Sequence, residues 1–396
     1  MEKPRILILM HYLEIGGAEK ALIGFLKALG KFDINIELFL YQHTGELMKS
    51  VPEYVKILPE IKEYSILERP LSYCLKKGYF ISACHKIKRK YKLKRYLQKN
   101  PGNEAVASHI YMDYDIKHLP DLFNFGEYDM AISFLDPPHI MQDKVKSKKK
   151  IEWIHTDFES AKYDSELTFE RWNKNDVIVS ISDKVTESFL SLFPELKPKI
   201  VKIENILDSS FIRLQSNMES VRLSGNPVLL SIGRFTYAKN FDNIPQITKL
   251  LVNSGLNDLK WYIIGFGSDE ILIREKIKET EMEDHVVILG KKINPYPYIK
   301  ACDFYIQPSR FEGKCVAVRE AQILCKPVII SNYPTASSQI NHRIDGIISK
   351  GDNSSLAMSI IKLYQNKLLQ NKIISFLKTH DYGLNDEINK FYNLFN

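Results

Sequence analysis

The feature that most constrains this chain is an alternation that runs through it twice. Short, mostly apolar, strand-length runs take turns with helix-length segments. The first set of runs is Arg5–Met10, Asn35–Tyr41, Val55–Leu58, Met130–Phe134, Lys150–Ile154, Val177–Ser180 and Ile200–Ile203. The second is Val228–Ile232, Trp261–Ile264, Val286–Leu289, Phe304–Gln307, Val328–Ser331 and Gly346–Ser349. Helical patterns such as Glu19–Leu29, Lys184–Leu192, Phe241–Leu251, Ile271–Thr280 and Ala317–Leu324 lie between them. Strands that are apolar on both faces need cover on both sides, and strand–helix alternation supplies it with parallel sheets between layers of helices. The expected fold class is α/β, two doubly wound Rossmann-like domains facing across a cleft. The expected spans are 1–207 and 208–380, followed by a C-terminal helix in 381–396 that can cross back to the first domain. The polar stretch Asp208–Pro227 reads as the hinge.

A chain of 396 residues has room for two such cores of about 200 residues each. Its 44% hydrophobic and 26% charged residues are a globular balance, which excludes a disordered chain. The five cysteines are scattered and form no C-x-x-C pair, which points to a reducing compartment and away from a zinc site or disulfide framework. The opening MEKPRILILM reads as a first strand rather than a signal peptide. No run approaches the roughly 18 apolar residues of a membrane helix. A cytoplasmic location is therefore expected.

Candidate chemistry gathers where strands end, since ligands of doubly wound sheets sit beyond the carboxyl ends of the strands. In RFEGKCVAVREAQILCKPVIIS, Glu312 follows one strand and Glu320 lies on the next helix. Two carboxylates so placed can accept hydrogen bonds from a polyhydroxylated ligand. A capping glutamate and a solvated one would give the same spacing. In LLSIGRFTYAKNFD, Arg234 and Lys239 follow Gly233 at a strand end, where a loop can aim both cations at a diphosphate leaving group. In HYLEIGGAEKAL, Gly16 and Gly17 form a strand-to-helix turn that lets backbone N–H groups approach an anion or a sugar, or is simply a tight turn. The full G-x-G-x-x-G spacing of a dinucleotide fold is missing. His155, ending the run KIEWIH, can bond a sugar hydroxyl or stabilise positive charge at an anomeric carbon. Gly265 and Gly267 in IIGFGSDE fit a nucleotide wall or a plain turn. Asp113-Tyr114-Asp115 matches a D-x-D metal pair, but it lies away from any clear strand end; no metal site is expected.

Together these residues resemble the family 4 glycosyltransferases of the GT-B fold, above all bacterial enzymes of capsular, exopolysaccharide or lipopolysaccharide assembly. The resemblance runs from IGGAEKAL to GIISKGDNSSLA, with IENILD, SIGRF plus Lys239, and the Glu312–Glu320 segment its most specific parts. It implies a retaining hexosyltransferase that uses a nucleoside-diphosphate sugar, UDP-linked, as substrate. No metal and no cofactor are implied. The first domain would face the acceptor, a glycan or a polyprenyl-linked glycan, and the second would bind the donor. Arg234 and Lys239 would hold the diphosphate, Glu312 the transferred sugar, Glu320 the ribose, and His155 the sugar hydroxyls. Gly16 and Gly17 would lie on the phosphate or acceptor side. Many members carry a glycine–aromatic–glycine-like run after the first glutamate. Here Gly313 is followed by Lys314 and Cys315, which sets a cation, Lys314, where the donor is expected. A nucleotide-sugar epimerase of the same fold is the alternative.

Charge is concentrated in one place. Residues 76–99 hold ten Lys or Arg and no acid, while the first 205 residues as a whole are only +3. As a helix this segment puts Phe80, Cys84, Ile87 and Tyr91 on one stripe among its cations. Such a helix is suited to an anionic membrane surface, or to packing its stripe on its own domain. No nucleic-acid recognition motif accompanies it.

Overall fold

The computed structural model describes residues 3–67, 69–101, 106–135, 137–155, 158 and 165–395. The chain divides into two compact units, Met1–Glu204 with Glu387–Asn396, and Asn205–Asp386. The first unit is built on β1 (Arg5–Met10), β2 (Asn35–Leu40), β3 (Val55–Ile57), β4 (Glu127–Ser133), β5 (Lys146–Ile154), β6 (Val177–Ser180) and β7 (Ile200–Lys202). They form one parallel sheet in the order β3-β2-β1-β4-β5-β6-β7. The second unit repeats the plan with β8 (Val228–Ile232), β9 (Lys260–Ile264), β10 (Val286–Gly290), β11 (Phe304–Gln307), β12 (Val328–Ser331) and β13 (Ile347–Ser349). Its order is β10-β9-β8-β11-β12-β13, again all parallel.

Each of the thirteen expected strands is present. β4 and β5 begin three and four residues earlier than their apolar runs, at Glu127 and Lys146, because their half-exposed polar ends still pair across the sheet. In each unit the chain winds outward from its first strand, then returns to the other side. The switch points fall between β1 and β4 and between β8 and β11. There the connecting helices diverge and leave a crevice at the carboxyl ends.

The expected hinge needs correcting. Residues 208–227 are not a bare linker, because Asp208 accepts the Phe211 N–H at 2.8 Å and caps a helix, Ser209–Gln215. Ile212 of that helix is buried in the second core. The break between units falls earlier, at Glu204/Asn205 rather than 207/208. At the other end the helix Glu387–Tyr392 belongs to the first unit, while residues 381–386 stay with the second. Phe391 is fully buried, edge-on to Phe25 with ring centroids 4.8 Å apart. Tyr392 stacks on Phe32 at 4.2 Å, and the Glu387 carboxylate accepts the Glu204 N–H at 3.0 Å.

This returning tail is part of the first core. Phe391→Ala is expected to lower the stability of the first unit by about 3–5 kcal/mol, the usual cost of emptying an aromatic core position. Urea unfolding followed by hydrogen exchange of peptides from each unit checks this, with the loss confined to the first unit.

Candidate functional site

The carboxyl ends of β8 and β11 flank the switch point of the second sheet, and two loops leave them. After β8 the chain runs through Gly233 and Arg234 to a single 3₁₀ turn, Tyr237–Lys239. The Gly233 N–H donates to the Ile264 carbonyl at 3.0 Å and the Phe235 N–H to the Phe266 carbonyl at 2.7 Å. This loop therefore lies backbone to backbone on the loop after β9. A Cβ on Gly265 would sit 1.9 Å from the Gly233 oxygen, and one on Gly267 2.3 Å from the Phe235 oxygen. Both glycines are required by that close approach.

The loop after β11 is clamped to the loop after β8. Asn240 adopts the left-handed conformation (φ 61°) and its side-chain amide donates to the Pro308 carbonyl at 2.8 Å. Arg310 grips Asp242 with two hydrogen bonds of 3.0 and 2.9 Å and also donates to the Tyr237 carbonyl at 2.6 Å. Its backbone N–H donates to the Ala238 carbonyl.

The clamp brings Lys239 onto Glu312, Nζ to Oε1 at 2.5 Å. Ser309 Oγ donates to the same oxygen at 2.7 Å, and Gln307 Nε2 donates to Ser309 Oγ at 2.8 Å. Tyr305 completes the relay by donating to Gln307 Oε1 at 2.7 Å. Burial alone would depress the Lys239 ammonium, but the adjacent Glu312 charge outweighs it and holds the lysine above its ordinary value. A raised lysine contributes its stability fully below the unfolded value. That contribution is lost only as pH rises through the raised one, so the pair is intact across the neutral range. Burial, followed by the Glu312 charge, pushes the neighbouring Cys315 thiol up to about 12, which keeps it neutral.

Arg234 is exposed at the head of this cluster, its guanidinium 5.9 Å from the Phe266 ring centroid and close enough to act on the Lys239 charge. Lys291, just past β10, sets its ammonium 4.9 Å from the same ring. Two cations beside one carboxylate leave a net positive locus at the switch point, suited to a phosphate-bearing ligand.

Glu320 is fully buried on the helix Val316–Ile323 and accepts a 3.0 Å hydrogen bond from Tyr296, whose hydroxyl burial and Glu320 together push up. Lys314 is largely buried in the same loop as Glu312, which is fastened by Thr335 donating to the Glu312 carbonyl at 2.7 Å. The structure thus brings Arg234, Lys239, Gly265, Gly267, Glu312 and Lys314 to one edge of the second unit, while Glu320 lies fully buried behind it against Tyr296. Sequence reading missed Gln307, Ser309, Arg310, Asn240 and Lys291. Only the first two carried a usable signal, as polar residues closing an apolar strand.

The remaining candidates lie in the first unit. His155 follows β5, its ring 4.9 Å from that of Phe134. Burial lowers its pKa to about 4, against the opposing effect of a hydrogen bond from the ring to the Phe134 carbonyl, so the imidazole is neutral at physiological pH. That state suits hydrogen bonding and removes the role of a fixed positive charge. Its neighbour Asp157 lies outside the described residues. Gly16 caps the helix Gly17–Leu29, and the Glu19 carboxylate rests against it, 2.1 Å from where a Cβ would be. The turn already carries an anion of its own chain, which favours a hydroxyl ligand over a phosphate.

The D-x-D match is structural. Asp113 bonds Arg171 and lies 3.2 Å from His139, and Asp115 is paired with Arg89. Among the described residues no cluster of metal-ligating side chains is found.

The two sheets define a GT-B fold. Residues 215–379, most of the second unit, match the family described as glycosyl transferases group 1. A Campylobacter jejuni N-acetylgalactosaminyltransferase named for a diphospho-undecaprenol acceptor is 28% identical over 169 residues, 42% of this chain and 44% of that protein. An Escherichia coli diphosphoundecaprenol α-1,3-galactosyltransferase is 26% identical over 160 residues, 37% of this chain and 41% of that one. The matches thus span less than half the length of these curated relatives. Among solved structures, Staphylococcus aureus TarM in complex with UDP superposes with a TM-score of 0.70 at 14% identity, covering 99% of this chain and 100% of that one. Anabaena HepE with UDP gives 0.65 at 14%, covering 98% and 100%. At these identities the likeness is one of fold.

Arg310 is expected to hold the two loops in register. Arg310→Ala should cost roughly 3 kcal/mol or more of second-unit stability by leaving Asp242 unpaired, and Arg310→Lys should restore only part because it cannot form both bonds. Chemical denaturation of the three proteins checks this.

Proposed function

We propose that the chain transfers a hexose or N-acetylhexosamine from a UDP-linked sugar to a glycan or polyprenyl-linked acceptor with retention, as a family 4 enzyme of surface polysaccharide assembly. The observation that carries this reading is the Lys239–Glu312 pair, with Arg234 beside it, at the switch point of the second sheet. When the glycosidic bond to the phosphate breaks, negative charge grows on the departing diphosphate. Arg234 and Lys239 stand ready for it and need no reorganisation. The relay of hydrogen bonds lands on Oε1 of Glu312, which leaves Oε2 for a hydroxyl of the transferred sugar. Glu320 serves the ribose, with Gly265 and Gly267 forming the wall beside the nucleotide and Lys314 adding a cation on the donor side. His155 as a neutral imidazole bonds a sugar hydroxyl, and Gly16–Gly17 lie on the acceptor side. Cationic side chains take the part a metal would otherwise play, and no cofactor enters.

The group 1 match over the second unit and the lipid-diphosphate acceptors in the relatives' names support this reading. Among the described residues no helix is long and apolar enough to cross a membrane. We propose a cytoplasmic location, peripheral at the inner face of the cell membrane, a reading supported by the lipid-diphosphate acceptors in the relatives' names.

The test is transfer from a panel of nucleotide sugars, followed by mass, in excess EDTA. Wild type is expected to turn over. Glu312→Ala and Arg234→Ala, both assayed well below their melting temperatures, should each lose about 10²–10³-fold in rate, the usual cost of one missing group aimed at developing charge. Melting should be unchanged for the exposed Arg234 and lowered for Glu312→Ala, which strands the Lys239 charge. Turnover like wild type in both variants, or activity that returns only with Mn²⁺ or Mg²⁺, would overturn the assignment.

A further inference from the structure

The acid-free basic segment folds as a helix, Phe80–Lys99, about 30 Å long. Its inward face is fully engaged. Ala83 and Lys86 are buried, the Lys86 ammonium donates to the Leu67 carbonyl at 2.8 Å, and Arg89 pairs with Asp115 over the Tyr111 ring. The apolar stripe does not share in this packing. Phe80 is 66%, Ile81 76%, Ile87 54% and Tyr91 63% exposed, and Cys84 is exposed between them. The expectation that the stripe might pack on its own domain is therefore excluded by the fold.

At 3.6 residues per turn Phe80, Cys84, Ile87 and Tyr91 fall within an arc of about 60°. Lys90 and Lys94 border the arc on one side, and Lys88 and Arg95 on the other. An exposed apolar and aromatic stripe with cations along both borders matches the cross-section of a leaflet surface. Rings and aliphatic chains enter the acyl boundary while lysine and arginine heads stay at the phosphate level. The charge pattern selects among occupants. A second copy would bring two acid-free cationic borders together, which repels. Nucleic acid would satisfy the cations but leave the stripe in water.

We propose that the helix Phe80–Lys99 lies in the plane of an anionic lipid leaflet, with Phe80, Ile81, Ile87 and Tyr91 inserted and the bordering cations on the lipid phosphates. This deepens the membrane-side reading above and rests on it only for the identity of the acceptor. Its test contains no nucleotide sugar, so either can fail without the other.

The experiment is co-sedimentation of the full chain with vesicles of phosphatidylcholine alone or with added phosphatidylglycerol. Binding is expected only with the anionic lipid and should fall as salt rises. Each cation at such a surface is worth about fivefold in partition, so replacing the bordering Lys88, Lys90, Lys94 and Arg95 by Ser should cost about 10²–10³-fold. Arg89 is left in place because its pair with Asp115 anchors the helix. A second variant with Phe80, Ile81, Ile87 and Tyr91 all changed to Ser should lose binding while keeping the wild-type melting profile. Wild type remaining in the supernatant with anionic vesicles at low salt overturns the proposal. So does undiminished binding of the second variant, or self-association of wild type that this variant abolishes.

Discussion

The second unit is organised around one charge pair, Lys239 on Glu312. Taking both charges out of water is costly, and such a pair persists only when further hydrogen bonds complete it. Here Ser309, Gln307 and Tyr305 supply them in a line from the end of β11. The pair joins the loop after β8 to the loop after β11, so it fixes the crevice at the point where the winding of the sheet reverses. Its value lies in position more than in stability. A lysine already held at full charge in a partly dry site is a ready partner for a phosphate, and the preorganisation is met in folding rather than during reaction.

The rest of the edge follows from keeping those loops in place. Gly265 and Gly267 let two backbones touch, Asn240 turns the chain in a conformation that few side chains accept, and Arg310 bolts the loops together through Asp242. Buried charges in the first unit are settled differently. Glu37 is met by Arg5 and Lys56, Asp113 by Arg171, and Asp115 by Arg89. These pairs sit within or between secondary elements, away from the carboxyl ends of the strands, and serve packing. Arg234, by contrast, is exposed just past the carboxyl end of β8.

The strands were legible because parallel strands covered on both faces write themselves as apolar runs; Ile6–Met10 and Val328–Ile330 are buried throughout. The site was legible in part because loops after such strands are the only places this winding exposes to a ligand, which singled out Arg234, Lys239 and Glu312. Arg310 was not, since its partner Asp242 is distant in sequence and a lone arginine after a strand carries no signal. The hinge was misread because a polar run looks like a linker unless the Asp208 cap and the buried Ile212 are noticed. Which face the basic helix buries was also undecidable from its periodicity. The stripe of Phe80, Cys84, Ile87 and Tyr91 suited either a membrane surface or its own domain, and only the fold shows that the packing runs through Ala83, Lys86 and Arg89 instead.

The central claim is that Lys239 and Glu312 act as a unit in holding a nucleoside diphosphate. Calorimetric titration of UDP into wild type, Lys239→Ala, Glu312→Ala and the double variant measures that coupling directly. The account predicts saturable binding by wild type and a severe loss for Lys239→Ala, whose unpaired Glu312 repels the phosphates. It also predicts partial recovery in the double variant, because the stranded carboxylate is gone. Wild-type affinity in Lys239→Ala, or single-variant losses that simply add, would contradict it.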